Sequence, residues 1–204
     1  TSIQIGLDKK RVKVGAAYKK ESDDFYQVAE IARKSIDYFS NQMPGIPYPY
    51  PSMTVFNGSG GMEFPMMVND GSTEKISRTI SLTSHEIAHT YFPFFMGTNE
   101  RKYAWMDEGW AVMLPFDFVL GEAPDYDRKA RVTTEFASLA GKELDLPIMI
   151  PSITYGGQIY RPSYRGASYT KAGMAYQMLR DLLGEELFRK ALHTYMNRWN
   201  GKHP

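Results

Sequence analysis

Apolar residues at Phe25, Val28, Ala29, Ala32, Ile36 and Phe39 recur at spacings of three and four behind Ser22-Asp23. That is the stripe of an amphipathic helix entered through a capping residue, and Pro44-Gly45 ends it. Ahead of it, polar residues 9–13 lead into an alternation at Val12, Val14 and Ala16-Ala17, which predicts a short edge strand. Prolines at 44, 47, 49 and 51 make the next segment an extended connector with neither helix nor central strand. Two strands are expected at 53–56 and 62–68, on either side of Asn57-Gly58-Ser59-Gly60-Gly61, forming a small sheet.

After Asn69-Asp70-Gly71 the period becomes helical. The spacing predicts helices over 76–92, stopped by Pro93, over 106–120, stopped by Gly121, and over 126–140, stopped by Gly141. Residues 142–166, rich in Pro, Gly, Tyr and Ser, predict a long irregular loop of the kind that is usually functional or mobile. Two helices close the chain at 168–183 and 185–199, with Gly184 between them. The expected fold is α+β and mainly helical: a single domain over 1–204, with a helix and small sheet in 1–70 and a helical half in 71–204.

Composition narrows the chemistry. A chain of 204 residues buries about 70% of its unfolded surface, so it needs no structural metal in order to fold, and a metal site in it would be functional. With 24 basic and 23 acidic residues there is no bulk field for nucleic acid or an anionic membrane. No apolar run reaches the 18 or so residues of a membrane span, so a soluble protein is expected. Zero cysteines exclude disulfides, thiolate nucleophiles and cysteine-ligated metals, and are compatible with periplasm, cell exterior or cytosol alike. Metal ligands must come from the four histidines and the carboxylates. The start at Thr1 fits a processed protein or an excised domain.

His85-Glu86-Ile87-Ala88-His89 supplies such ligands. Histidines four apart share one helix face with β-carbons about 5–6 Å apart, so both imidazoles can converge on a zinc ion. Glu86, next to the first, can flank the remaining coordination position as a general base. A catalytic zinc takes three protein ligands and keeps a fourth position open. Glu108, separated from His89 by 18 residues and expected near the start of the next helix, is the candidate third ligand.

The HExxH, the 18-residue gap and the Trp105-Met106-Asp107-Glu108-Gly109-Trp110-Ala111 setting resemble the M1 family of zinc aminopeptidases, which are gluzincins. Gly60-Gly61-Met62-Glu63-Phe64-Pro65 resembles that family's Gly-x-Met-Glu-Asn motif, and Tyr169-Thr170-Lys171-Ala172 its Tyr-x-Lys-Gly segment. Pro47-Tyr48-Pro49-Tyr50-Pro51 resembles its proline and tyrosine connector, so the likeness runs from about residue 12 to about 190. It implies a thermolysin-like zincin domain with one Zn2+ per chain on His85, His89 and Glu108, Glu86 as base and Tyr169 as donor to the oxyanion. The implied substrate is a peptide with a free N-terminus, whose α-ammonium the Glu63 carboxylate would pair with and whose extended backbone Gly60, Gly61 and Met62 would hold by strand addition; Tyr164 is a second tyrosine candidate. Phe64 stands where the family usually has asparagine, Asp107 likewise, and Ala172-Gly173 inverts the usual order. The family's flanking β-rich and helical domains are not in this sequence, which implies a longer parent protein. The same scaffold also admits a catalytically silent substrate-binding or scaffolding domain, or a hydrolase of non-peptide substrates. His193 reads as an ordinary helix histidine, and His203 as part of a disordered tail.

Overall fold

The computed structural model describes residues 1–6, 9–154 and 161–204. The chain divides into two compact units: Thr1–Thr90 with Leu114–Asp127, and Tyr91–Met113 with Arg128–Pro204.

In the first unit β1 (Ser2–Ile5) and β2 (Lys10–Ala17) lead through a turn of 3-10 helix (Asp23–Tyr26) to α1 (Val28–Asn41). Then come β3 (Ser52–Asn57), β4 (Met62–Phe64), β5 (Met67–Asp70) and α2 (Ile76–Ala88). The described strands form one sheet in the order β1-β2-β3-β5-β4, parallel across β2-β3-β5 and antiparallel at both rims. Pairing of Val14 with Met53, Val55 with Val68, and Val68 with Glu63 puts these side chains on one face. Val12, Val14, Met53, Val55 and Val68 on that face are buried, as are Phe25, Val28, Ala32, Ile36 and Phe39 along α1. α1 packs on β1, β2, β3 and α2, and α2 packs on β4 and β5.

Three expectations for this unit are corrected. The strand at 12–17 is not at the edge, because β1 pairs outside it. The strand expected over 62–68 is a hairpin, broken at Pro65 and at Met66, whose φ is +66°. Ser22 does not cap α1; its hydroxyl donates to Asn57 Oδ1 at 2.6 Å, and the α-helix starts at Val28. The extended connector over 44–51 is present, with neither helix nor strand.

α2 stops four residues before the expected end. A residue preceding proline is pushed out of the helical region, and Phe92 accordingly sits at φ −133°, ψ 110° within the irregular wide turn Thr90–Phe95. The helix expected over 106–120 is likewise two: α3 (Glu108–Met113) in the second unit and α4 (Phe116–Glu122) in the first. Pro115 has no N–H to continue the ladder and its ring crowds the preceding turn.

The second unit continues with α5 (Arg128–Leu139), α6 (Arg161–Arg165), α7 (Ala172–Leu183) and α8 (Glu185–Trp199). The loop expected over 142–166 contains a 3-10 turn at Ser152–Thr154 and ends in α6, while its residues 155–160 lie outside the described residues. The helix expected from 168 starts instead at Ala172, after a wide π-type turn over Gly166–Lys171. Gly184, at φ +74°, separates α7 from α8 as expected. Phe188, Leu192 and Met196 form the buried stripe of α8. His203 is not a loose tail residue: its Nδ1 lies 2.7 Å from the Gly97 carbonyl oxygen.

Candidate active site

α2 carries its chemistry at its C-terminal end. His85 and Glu86 lie in the last turn, and His89 follows Ala88 with a backbone still helical at φ −59°, ψ −16°. The i, i+4 relation therefore survives the end of the helix. The two imidazole rings stand edge to face with centroids 4.9 Å apart. His85, Glu86 and His89 are all buried. Glu86 reaches the sheet: a β-carbon added at Gly61 would run into its carboxylate and into Leu82, so the missing side chain lets the glutamate lie against the backbone entering β4. β4 is the rim of the sheet, with one side paired to β5. Its register turns Glu63 toward the helix-covered face, while Met62 and Phe64 are exposed on the other.

In the second unit Glu108 is the first residue of α3 and is buried. The Tyr169 hydroxyl, from the wide turn before α7, donates to Glu108 Oε1. These residues are 61 apart in sequence and meet because α3 and α7 cross closely. A β-carbon at Gly109 would stand 2.6 Å from Ala172 Cβ, and one at Gly173 2.5 Å from Val112 Cγ1, so only small residues allow this approach. Ala172-Gly173 serves that crossing in the order in which it stands. Trp110 is stacked between Phe92 and Tyr176, with centroids at 4.9 and 3.8 Å. Burial, and then the neighbouring Glu108 carboxylate, push the Tyr169 pKa upward, so the phenol keeps its proton and acts as a donor. The Tyr164 ring meets Tyr169 edge-on at 6.0 Å.

Arg165 was not apparent from the sequence. Its guanidinium lies 5.6 Å from the centre of the Tyr169 ring and pairs with Glu135 of α5 at 2.9 Å. No motif marks it, and the sequence reading left it inside the loop expected over 142–166. Asp107, also buried, precedes α3 and adds to the upward push on Tyr169.

A helix ending in two adjacent buried imidazoles with a carboxylate between them, beside a mixed sheet, is the hallmark of a zincin fold. The family profile described as the Peptidase family M1 domain matches residues 27–203, and the chain belongs to peptidase family M1. It is similar to Aminopeptidase M1 of Arabidopsis thaliana, 25% identical over 184 residues, covering 81% of this chain and 21% of the relative. It is also similar to Tricorn protease-interacting factor F2 of Thermoplasma acidophilum, 26% identical over 188 residues, covering 82% of this chain and 23% of the relative. An M1 zinc metallopeptidase from Deinococcus radiodurans shares the fold at a TM-score of 0.68 and 19% identity, covering 100% of this chain and 44% of that one. The chain thus spans between a fifth and a quarter of these curated relatives. Among the described residues, no helix is long and apolar enough to cross a membrane.

Proposed function

We propose that this chain is the catalytic domain of a zinc-dependent aminopeptidase, hydrolysing the N-terminal peptide bond of peptides, and that it works within a longer protein that includes flanking domains. The observation that carries the reading is the end of α2, where Glu86 and two adjacent imidazoles are buried, with the Glu86 carboxylate lying against the backbone that enters the rim strand β4. The donor set fits zinc: two imidazoles one turn apart, and in Glu108 a buried carboxylate already held by a phenol. His85, His89 and Glu108 would hold the ion, which when bound supplies the Lewis acidity that activates water and polarises a carbonyl.

The remaining work falls to the protein. The free edge of β4, through Gly61 and Met62, binds the peptide backbone as an added strand. Glu63 pairs with the α-ammonium and so places the first peptide bond. Glu86 takes the proton of the attacking water and delivers it to the departing amine. Tyr169 donates to the developing oxyanion, with Tyr164 packed against its ring. A similar solved protein, an M1 zinc metallopeptidase variant from Deinococcus radiodurans, is described as bound to the substrate Tyr-Ser-Ala, and another two-domain M1 variant as bound to L-arginine. Both ligands fit an exopeptidase reading.

Metal analysis should return about one zinc per chain, lost in His85→Ala and in Glu108→Ala. Glu86→Gln should keep the zinc and lose nearly all turnover of an aminoacyl fluorogenic substrate. Wild-type protein should act on that substrate and not on its N-acetyl form, a preference that weakens in Glu63→Ala. Stoichiometric zinc surviving both ligand substitutions refutes the metal site, and equal rates on free and acetylated substrates refute exopeptidase action.

A further inference from the structure

The face of α2 turned away from His85 is gripped by two acids. Thr79 and Thr83, one turn apart and both fully buried, point their hydroxyls at different carboxylates. Thr83 Oγ1 donates to Asp70 Oδ2 at 2.7 Å, from the last residue of β5. Thr79 Oγ1 donates to Asp24 Oδ2 at 2.7 Å, from the turn before α1. Asp24 also accepts the Thr73 backbone N–H at 2.9 Å and the Ser72 hydroxyl, so it holds the entry to α2 as well. Thr73 Oγ1 and Thr79 Oγ1 are 2.7 Å apart, closing a small network.

We propose that Asp70 and Asp24 are positioning residues that fix the rotation of α2 through Thr83 and Thr79, and so aim His85, Glu86 and His89. The inference rests on the zinc reading above and goes beyond it. At about 100° per residue, Thr83 is on the opposite side of the helix from His85. Side-chain atoms lie about 5–6 Å from a helix axis, so a rotation of only about 10° moves them by about 1 Å. Metal–ligand distances tolerate about 0.2 Å. Apolar packing by Ile80 and Ile87 on the same helix is not directional, whereas two hydrogen bonds, one turn apart and anchored on separate elements, each fix an orientation.

The chemistry of Asp70 points the same way. It is 0% exposed, and its Oδ1 has no hydrogen-bond partner. Burial, opposed by the Thr83 bond and assisted by the nearby Asp24 charge, pushes its carboxyl up to about 7. A carboxylate so placed weakens the fold relative to an apolar residue of its size. What it contributes is an acceptor held in one place for one hydroxyl of α2.

The test is zinc affinity of the full chain by chelator competition, alongside the melting temperature of the metal-free protein. Thr83→Val removes the donor and keeps the shape; it should weaken zinc binding about tenfold, the low end for partners outside the ligand set. Asp70→Ala should do the same. Thr83→Ser and Asp70→Asn, which keep donor and acceptor, should stay near wild type. Val14→Ala, in the strand that packs on α1, is the control: it should lower the melting temperature while leaving the affinity unchanged. Wild-type protein that takes up no zinc sinks the functional reading and this inference with it. Wild-type binding that Thr83→Val leaves unaltered, or that Val14→Ala weakens to the same extent, overturns the positioning alone.

Discussion

Replacing Asp70 by asparagine removes one ionisable group while keeping the side chain's shape and the acceptor for Thr83. In the folded protein the Asp70 carboxyl is pushed up to about 7 from its ordinary value of 3.8, mainly because burial strips water from the charged form. The folded state therefore keeps its proton to higher pH than the unfolded chain. Stability from this group is fully present below about pH 4 and is lost as pH rises toward and through 7. A gap of about three pH units corresponds to about 4 kcal/mol, of which roughly 2.5 kcal/mol falls between pH 5 and pH 8. Asp70→Asn has no such loss, so its stability relative to wild type should rise by about that amount across the window. Asp24, the charged neighbour, is held below its ordinary value and finishes titrating beneath this range. The assay is urea unfolding of both proteins at several pH values, followed by far-ultraviolet circular dichroism. Tryptophan fluorescence is the wrong probe, because Trp105, Trp110 and Trp199 all belong to the second unit and Asp70 to the first. A stability difference that stays constant from pH 5 to pH 8 would refute the argument that Asp70 is buried with a raised pKa.

Two further outcomes follow from the second unit. Tyr169→Phe should retain zinc while reducing turnover by roughly 10²–10³-fold, as for loss of one oxyanion donor; loss of the metal instead would mean that the phenol serves to hold Glu108. Gly109→Ala brings a methyl group to 2.6 Å from Ala172 Cβ and 2.9 Å from the Tyr176 ring. It should destabilise the protein by about 1–3 kcal/mol in thermal melts through forced separation of α3 and α7, and an unchanged melting temperature would show that the crossing is looser than this.

Much of the site was legible from local order alone. Four-residue spacing of histidines sets a common helix face whatever surrounds it, and α2 duly carries both imidazoles side by side. Gly184 marked the boundary between α7 and α8 in the same way, because backbone preferences act over a few residues. Where local signals competed, the reading erred. Pro93 acts on the residue before it, so α2 ended earlier than its apolar pattern implied, and Pro115 outweighed the periodicity that ran through it.

The sequence by itself thus named candidate residues for the chemistry and put His85, Glu86 and Glu108 on helices and Glu63 on a strand. Tyr164, expected in a loop, lies instead in α6, and Tyr169, expected in a helix, lies in the wide turn before α7. Only the tertiary structure decided that β1 covers the outer side of β2, that Tyr169 meets Glu108 across 61 residues, and that Asp70 grips Thr83. Those contacts join segments far apart along the chain, and they exist because burial leaves a polar group no partner except whatever the packing brings to it.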